Sequence, residues 1–181
     1  MPRGRRRDSS GDGPPQLWAP WRYAYIRRAR SGPEACIFCV KELGAVERRN
    51  RLVLHQDAEA VVMLNRYPYN NGHIMVAPRR HLGSPELLSA KERAILAELV
   101  SSSVERLRKA LTPAGFNVGA NIGRTAGAGF ADHLHWHIVP RWDGDTNFMP
   151  VLASTRVLSQ HLKESFRTLA PLFKGIRTQI S

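Results

Sequence analysis

The chain combines 181 residues with a formal net charge of +12 and only two cysteines, and apolar residues make up 43% of it. This size and composition predict one globular domain, and no window approaches the roughly 18 apolar residues of a membrane span, so we expect no membrane partner. The positive charge favours anionic partners, whether nucleotides, polyphosphates or nucleic acid.

The first 33 residues divide into a basic tail and an aromatic segment. Residues 1–15 hold four Arg and two Asp, and their Gly, Pro and Ser content predicts a disordered tail. No apolar export signal follows, so with two cysteines we expect a cytoplasmic protein without a stable disulfide. Residues 16–33 contain LWAPWRYAYI, which we interpret as an arm that packs on the domain or on a partner subunit.

Residues 34–145 are predicted to form the main domain, which begins with three strands. The apolar runs 52–54 and 60–64 indicate two strands joined by a turn. The turn-rich loop RYPYNNG, at 66–72, separates them from a third strand, HIMVAP, at 73–78.

A long helix follows these strands. Ser89 and Glu92 match a capping box, and apolar residues then recur at helical spacing. Pro113 and Gly115 are expected to end the helix.

The rest of the chain is predicted to hold two strands and a second helix. FNVGANI, at 116–122, alternates like a strand, and the loop GRTAGAG, at 123–129, leads into a fifth strand. The second helix is expected over 155–173, in a C-terminal extension of residues 146–181 that packs on the domain. This order predicts an α+β fold with a largely antiparallel five-stranded sheet and two main helices.

The fifth predicted strand, HLHWHIVPRW at 133–142, carries a histidine at every second position. Alternate residues of a strand face opposite sides. His133, His135 and His137 should therefore share one face, while the apolar residues between them pack on the core. Imidazoles crowded on one face repel each other when protonated, which favours a chemical role for this row.

Three motifs together resemble the histidine triad (HIT) superfamily. They are CIFC at 36–39, LNRYPYNNGHIMVAPRRH at 64–81 and HLHWHIV at 133–139. The resemblance covers roughly residues 34–142, and the chain looks most like the branch that contains actinobacterial diadenosine tetraphosphate (Ap4A) phosphorylases. It implies a HIT-like fold, nucleotidyl transfer through a histidine, and a homodimer with joined sheets that the aromatic arm would extend to a tetramer.

The resemblance also implies catalytic roles. His135, the middle histidine, would attack the α-phosphorus of a diadenosine polyphosphate and carry the adenylyl group, which splits one displacement into two easier ones. His137 would donate to a phosphate oxygen or to the leaving group, and His73 would complete the cluster.

Five further residues are candidates for binding the nucleotide. Asn65 matches a ribose-contacting position of the superfamily, and Asn121 matches a phosphate- or ribose-contacting position. Gly127, Ala128 and Gly129 are small enough for their backbone N–H groups to approach phosphates. The residues directly before the triad are not the Ser, Thr or Gln that family members often carry, so we expect backbone amides to bind the phosphates.

The cysteine pair raises the question of a metal. Cys36 and Cys39 have zinc-ligand spacing, but such a pair is also compatible with redox chemistry or with neither. In zinc-bearing HIT proteins and the related galactose-1-phosphate uridylyltransferases, two histidines complete the tetrahedron, and they correspond to His81 and His133. The resemblance therefore implies a structural zinc and no organic cofactor.

Other functions stay open at this point. The three histidines could instead form the catalytic zinc site of a hydrolase. A non-catalytic nucleotide- or nucleic-acid-binding protein would explain the charge, although the sequence lacks a nucleic-acid-binding motif and so disfavours a nucleic-acid partner. Within the resemblance, phosphorolysis of Ap4A to ADP and ATP is favoured over hydrolysis to AMP and ATP, and hydrolysis of nucleoside phosphoramidates is a further alternative.

Overall fold

A computed structural model describes residues 36–145 and 161–176. The predicted tail, the aromatic arm and the predicted start of the second helix, at 155–160, lie outside these residues. The proposed division of the chain into segments stays a prediction.

Five strands form a single sheet in which every neighbouring pair is antiparallel. Their order across the sheet is β1-β2-β3-β5-β4. The strands are β1 (Val53–Gln56), β2 (Ala60–Leu64), β3 (Ile74–Pro78), β4 (Gly115–Ala120) and β5 (Trp136–Arg141). This sheet confirms the predicted α+β class and places the histidine-bearing strand β5 next to β3.

The helices are α1 (Ala45–Arg51), α2 (Ala90–Leu111) and α3 (Leu162–Leu169), with 3-10 turns at Pro85–Leu87 and Ala170–Phe173. The capping box of α2 is present, because the Ser89 hydroxyl accepts the N–H of Glu92 while the Glu92 carboxylate accepts the N–H of Ser89. Helix α1 was not predicted. It buries none of its residues, so its sequence carries no apolar periodicity.

The two faces of the sheet pack against different partners. Helices α2 and α3 cover one face with the main apolar core, to which Leu134 and Ile138 belong. Residues 36–40 pack on the other face with a smaller apolar cluster that includes Met75. Since His137 lies directly opposite Met75 in the β3–β5 pair, its side chain is on this second face, away from the helices.

The fifth strand is shorter than predicted. It begins at Trp136, so the prediction of a strand from residue 133 is wrong for its first three residues. The ladder with β3 ends at the Val76–Trp136 pair because Pro78 has no N–H to continue it. The N–H of Leu134 donates instead to the carbonyl of Leu82, at 2.6 Å.

None of the helices within residues 36–145 and 161–176 has both the length and the apolar character needed to cross a bilayer.

Candidate active site and metal centre

The imidazole of His135 is held in one tautomer by the backbone. Its Nδ1 lies 2.8 Å from the carbonyl oxygen of His133. A carbonyl only accepts hydrogen bonds, so Nδ1 carries the hydrogen and Nε2 keeps a free lone pair. Burial lowers the pKa of His135, although the hydrogen bond to His133 opposes this effect. A neutral imidazole with an unprotonated Nε2 is a competent nucleophile.

A second chain of hydrogen bonds fixes the tautomers of His73 and His137. The backbone N–H of Tyr69 donates to Nδ1 of the fully buried His73, at 3.0 Å. The hydrogen of a neutral His73 is therefore on Nε2, which lies 3.0 Å from Nδ1 of His137 and donates to it. His137 in turn carries its hydrogen on Nε2, as a donor to a phosphate or a leaving group requires.

The two histidines with complementary tautomers are neighbours. The ring centres of His135 and His137 are 4.8 Å apart, and their planes are nearly perpendicular at 74°. The site thus pairs an unprotonated nitrogen with a protonated one. This is the pair that a displacement at phosphorus needs, since one group must attack and the other must supply a proton.

Among the five predicted nucleotide-binding residues, Asn65 lies beside the histidines. Its Nδ2 is 3.4 Å from Nδ1 of His73, and its Oδ1 accepts the backbone N–H of Tyr67 at 2.9 Å. Asn121 is half-buried and directly follows β4.

The glycine-rich loop uses two of its three candidate amides internally. The N–H of Gly127 donates to the carbonyl of Arg124 at 2.9 Å, and the N–H of Ala128 donates to the carbonyl of Gly123 at 3.3 Å. These two bonds stabilise the loop's own turn. Contacts from Gly127, Ala128 and Gly129 to a phosphate stay a prediction.

The structure brings together the four predicted metal ligands. Nδ1 of His133 is 3.3 Å from Sγ of Cys36, 3.5 Å from Sγ of Cys39 and 3.3 Å from Nδ1 of His81. Sγ of Cys39 and Nδ1 of His81 are 3.2 Å apart. Around a tetrahedral zinc, ligand nitrogens lie about 3.3 Å apart and a nitrogen lies about 3.6 Å from a sulfur. The four side chains therefore fit a closed Cys₂His₂ zinc site.

Hydrogen bonding and burial prepare His133 for a metal. Its Nε2 donates to the carbonyl of Pro78 at 2.9 Å, which leaves Nδ1 unprotonated and aimed at the cysteines. Burial is the main reason that the pKa of His133 falls to about 4, so the ring is neutral at pH 7. Burial and the neighbouring Cys36 raise the pKa of Cys39 to about 11, whereas a bound divalent cation favours the thiolate.

The three triad histidines do not form a metal site among themselves. Their Nδ1 atoms have three different partners: the ligand cluster for His133, a backbone carbonyl for His135 and His73 for His137. Within the described residues, Cys36, Cys39, His81 and His133 are the one group of His, Cys, Asp and Glu side chains arranged to hold a metal. The geometry therefore gives no support to a catalytic zinc on the triad.

Two aromatic residues of the site were not assigned a role from the sequence. Phe38 stacks on His135, with ring centres 4.7 Å apart, and Tyr69 lies over His73 at 4.8 Å. Both occur inside motifs that were recognised, CIFC and RYPYNNG. Phe38 lies between the two cysteines and Tyr69 lies four residues before His73, and these positions are the signal that could have identified them.

The loop before His73 is held against the end of β5 by an ionic contact and a hydrogen bond. Asp145 accepts two hydrogen bonds from Arg141, both at 2.6 Å, and one from Asn70 at 2.8 Å. The loop and the strand that carries His137 are thereby held together. Gly72 in the same loop has φ +69, and a Cβ there would lie 2.4 Å from Leu111, so only glycine fits without strain.

The α+β sheet, the alternating histidines and the Cys₂His₂ cluster together define a histidine triad protein. Residues 47–144, more than half of the chain, match the HIT domain family. The chain belongs to this family of nucleotide-processing enzymes, which confirms the resemblance seen in the sequence.

Individual relatives carry two different activities in their names. The chain is 35% identical over 160 residues to the AP-4-A phosphorylase of Mycobacterium tuberculosis. The matched region covers 86% of this chain and 82% of that protein. It is 33% identical over 107 residues to an adenosine 5'-monophosphoramidase of Schizosaccharomyces pombe, over 59% of this chain and 74% of that protein.

The fold is also shared with a solved structure, a zinc-bound histidine triad family protein from Mycobacterium smegmatis. The two structures match with a TM-score of 0.59 and 24% sequence identity, over 78% of this chain and 95% of that chain. The similarity supports the HIT fold of the described residues.

Proposed function

We propose that this enzyme is a nucleotidyl transferase that cleaves diadenosine polyphosphates, and that it converts Ap4A and inorganic phosphate to ADP and ATP. The observation that carries the proposal is the tautomer of His135. Its Nδ1 donates to the carbonyl of His133 at 2.8 Å, so the free Nε2 is available to attack phosphorus.

The reaction proceeds in two displacements. Nε2 of His135 attacks the α-phosphorus of Ap4A, a P–N bond forms, and the P–O bond to the leaving ATP breaks. The Nε2 hydrogen of His137 stabilises or protonates the leaving oxygen. An oxygen of inorganic phosphate then attacks the adenylyl group, the P–N bond breaks, and ADP leaves with His135 restored.

Two observations support phosphate, rather than water, as the second nucleophile. The Mycobacterium tuberculosis relative, at 35% identity, is an AP-4-A phosphorylase. The net charge of +12 favours the binding of a second anion beside the nucleotide. Hydrolysis is the second candidate, because the Schizosaccharomyces pombe relative is a phosphoramidase. The same adenylyl-histidine serves both reactions.

Product analysis with and without phosphate tests the proposal. Ap4A is incubated with the full chain in phosphate-free buffer and in phosphate, and the nucleotides are separated by chromatography. We expect ADP and ATP, and only when phosphate is present. AMP and ATP in both buffers would make the enzyme a hydrolase, and no cleavage of Ap4A would overturn the proposal.

A pair of histidine variants tests the nucleophile. We expect His135→Ala to lose turnover. After incubation with adenine-labelled Ap4A and a quench without acid, the variant protein should carry no label. His55→Ala is the matched control, because His55 pairs with Asp57 at 3.0 Å in the β1–β2 hairpin and has no part in the proposed chemistry. Labelled His135→Ala protein would assign the nucleophile elsewhere.

Binding of the nucleotide is proposed to use Asn65 for the ribose, and Asn121 with residues 127–129 for the phosphates. The N–H groups of Gly127 and Ala128 would exchange their bonds to Arg124 and Gly123 for bonds to a phosphate. The position of Asn65 beside His73 supports its proposed contact with the ribose. The four clustered ligands are proposed to hold a structural zinc, since a closed Cys₂His₂ set leaves no position for water.

The enzyme is further proposed to be a homo-oligomer that pairs through β4. This strand lies at the edge of the sheet, and an edge presents unpaired backbone groups to a second strand. A cavity of about 430 Å³ adjoins it between α2 and the sheet and is lined by Trp136 and Val118. Val118 is 47% exposed, which suits an apolar contact with a second copy.

Sedimentation of two valine variants tests the interface. We expect Val118→Arg to shift the protein from an oligomer to a monomer. Val46→Arg, at a valine of α1 that is 73% exposed, should sediment like the parent. A monomeric parent, or an unchanged Val118→Arg oligomer, would contradict pairing through β4.

A further inference from the structure

Phe38 occupies an unusual place between the metal-binding cysteines and the nucleophile. It lies two residues after Cys36 and one before Cys39, and it is only 1% exposed. Its ring stacks on the imidazole of His135, with centres 4.7 Å apart and planes 29° from parallel. This is the closest face-to-face ring contact that His135 makes in the part of the chain that the structure describes.

The ring of Phe38 is itself held on several sides. It is 5.1 Å from the ring of His133, and Phe130 packs edge-on against it at 5.9 Å. Both flanking cysteines belong to the ligand cluster. Because Cys36 and Cys39 hold the backbone on either side of Phe38 at this cluster, and the ring itself is enclosed, the ring has little freedom to move away from His135.

The hydrogen bond that selects the tautomer of His135 does not by itself prevent rotation of the ring. The bond joins Nδ1 to a carbonyl two residues earlier in the same segment, and rotation of the ring about its Cβ–Cγ bond would break it and redirect Nε2. Terminal rotations of histidine rings have broad, roughly two-fold preferences. A flat aromatic face at stacking distance blocks that rotation.

We propose that Phe38 is a positioning residue for the nucleophile: its ring locks the imidazole of His135 in the orientation that points Nε2 at the substrate. This inference rests on the proposed role of His135 in nucleotidyl transfer. The sequence CIFC thereby has a second use beyond metal binding, since the residue between the ligands orients the catalytic histidine.

Kinetics of substitutions at Phe38 give the first test. Phe38→Leu removes the flat face and keeps an apolar side chain, so we expect kcat for Ap4A to fall at least about tenfold, because small misplacements of reacting groups are costly. KM should change less than about twofold, because a residue that only orients the nucleophile acts on the chemical step rather than on ground-state binding. Phe38→Tyr keeps the ring and should retain most of the activity.

Histidine ¹⁵N NMR of the substrate-free protein gives the second test. In the parent, we expect the signals of His135 to report a hydrogen on Nδ1 and none on Nε2. In Phe38→Leu, we expect a mixture of tautomers and ring orientations, while Phe38→Tyr keeps the parent pattern. A residue that only fills space would leave these signals unchanged.

Val40→Ala is the matched control for lost packing. Val40 is 3% exposed and belongs to the same apolar cluster as Phe38, so this variant should lower the melting temperature without shifting the tautomer of His135. If Phe38→Leu does not fold, Phe38→Met replaces it, because methionine adapts to irregular space but offers no flat face.

The outcomes separate this inference from the proposed function. A folded Phe38→Leu or Phe38→Met with parental kcat and a single Nδ1–H tautomer would overturn the role of Phe38. If the parent forms no adenylyl-His135, the proposed function fails, but the NMR comparison still decides whether Phe38 orients the ring.

Discussion

At the scale of single residues, the three histidines of the motif differ in their tautomers, because a ring nitrogen of each has a different hydrogen-bond partner. In His133, the N–H at Nε2 donates to the carbonyl of Pro78. In His135, the N–H at Nδ1 donates to the carbonyl of His133. His137 instead accepts at Nδ1 from His73. One side-chain type can therefore take the three proposed roles of metal ligand, nucleophile and hydrogen donor, because the backbone around each ring is different.

The proposed donor role of His137 predicts that the effect of losing it depends on the leaving group. His137→Gln should lower kcat for Ap4A by about 10²–10⁴-fold, the usual value of general acid catalysis. An alkylamine phosphoramidate of AMP has a leaving group that needs a proton far more than the terminal phosphate of ATP does, so its cleavage should fall further still. His135→Ala, which lacks the proposed nucleophile, should lose both reactions. Equal losses for the two substrates in His137→Gln would argue against proton donation by this residue.

At the scale of elements, sequence patterns sufficed where one local interaction determines the outcome. The capping box at Ser89 and Glu92 predicted the start of α2, and apolar runs predicted β1, β2 and β3. The start of β5 could not be predicted in this way. It depends on Pro78 in a neighbouring strand and on the carbonyl of Leu82, and the pairing of these residues with β5 appears only in the folded sheet.

The same distinction holds for the candidate site. The spacing of the histidines and cysteines, together with the family resemblance, sufficed to predict which of these side chains the fold brings together. The tautomers could not be predicted, because they depend on backbone carbonyls and on the contact between His73 and His137, 64 residues apart. The stacking of Phe38 likewise needs the CIFC segment folded onto the triad.

The N-terminus of α2 predicts a pH dependence of stability. Hydrogen bonds from Arg80 are the main reason that the pKa of Glu92 falls from 4.5 to about 2. A carboxyl with a lowered pKa in the folded state stabilises it above pH 4.5, and this contribution disappears as the pH falls towards 2. Glu92→Gln keeps the shape of the capping box, so it should cost about 1 kcal/mol or less at pH 7.

Urea unfolding from pH 7 to pH 2 measures this effect. The difference in free energy of unfolding between the parent and Glu92→Gln should shrink steadily below pH 4.5. Glu98→Gln, at an exposed position of the same helix, should differ little from the parent at any pH. A constant difference across the range would show that the Arg80–Glu92 pair is not its source.

At the scale of the whole molecule, the ligand cluster joins segments that are distant in the chain. Cys36 and Cys39 precede the first helix, His81 follows β3, and His133 precedes β5. The cysteines and His133 are more than 90 residues apart in sequence, at 97 and 94. A metal at this point would close the N-terminal segment against the histidine face of the sheet, which explains how residues 36–40 are kept over the site.

Removal of the metal should therefore destabilise the whole domain. We expect about one zinc per chain in the purified protein, and a chelator should lower the melting temperature by about 10 °C, since a ligand at 1,000 times its Kd contributes about 4 kcal/mol. Cys39→Ser should melt at the temperature of the chelated parent and should not respond to chelator, because the same ligand set has already been broken. A chelator effect of equal size in both proteins would place its target elsewhere, and a parent that contains no zinc and melts unchanged would exclude a structural metal.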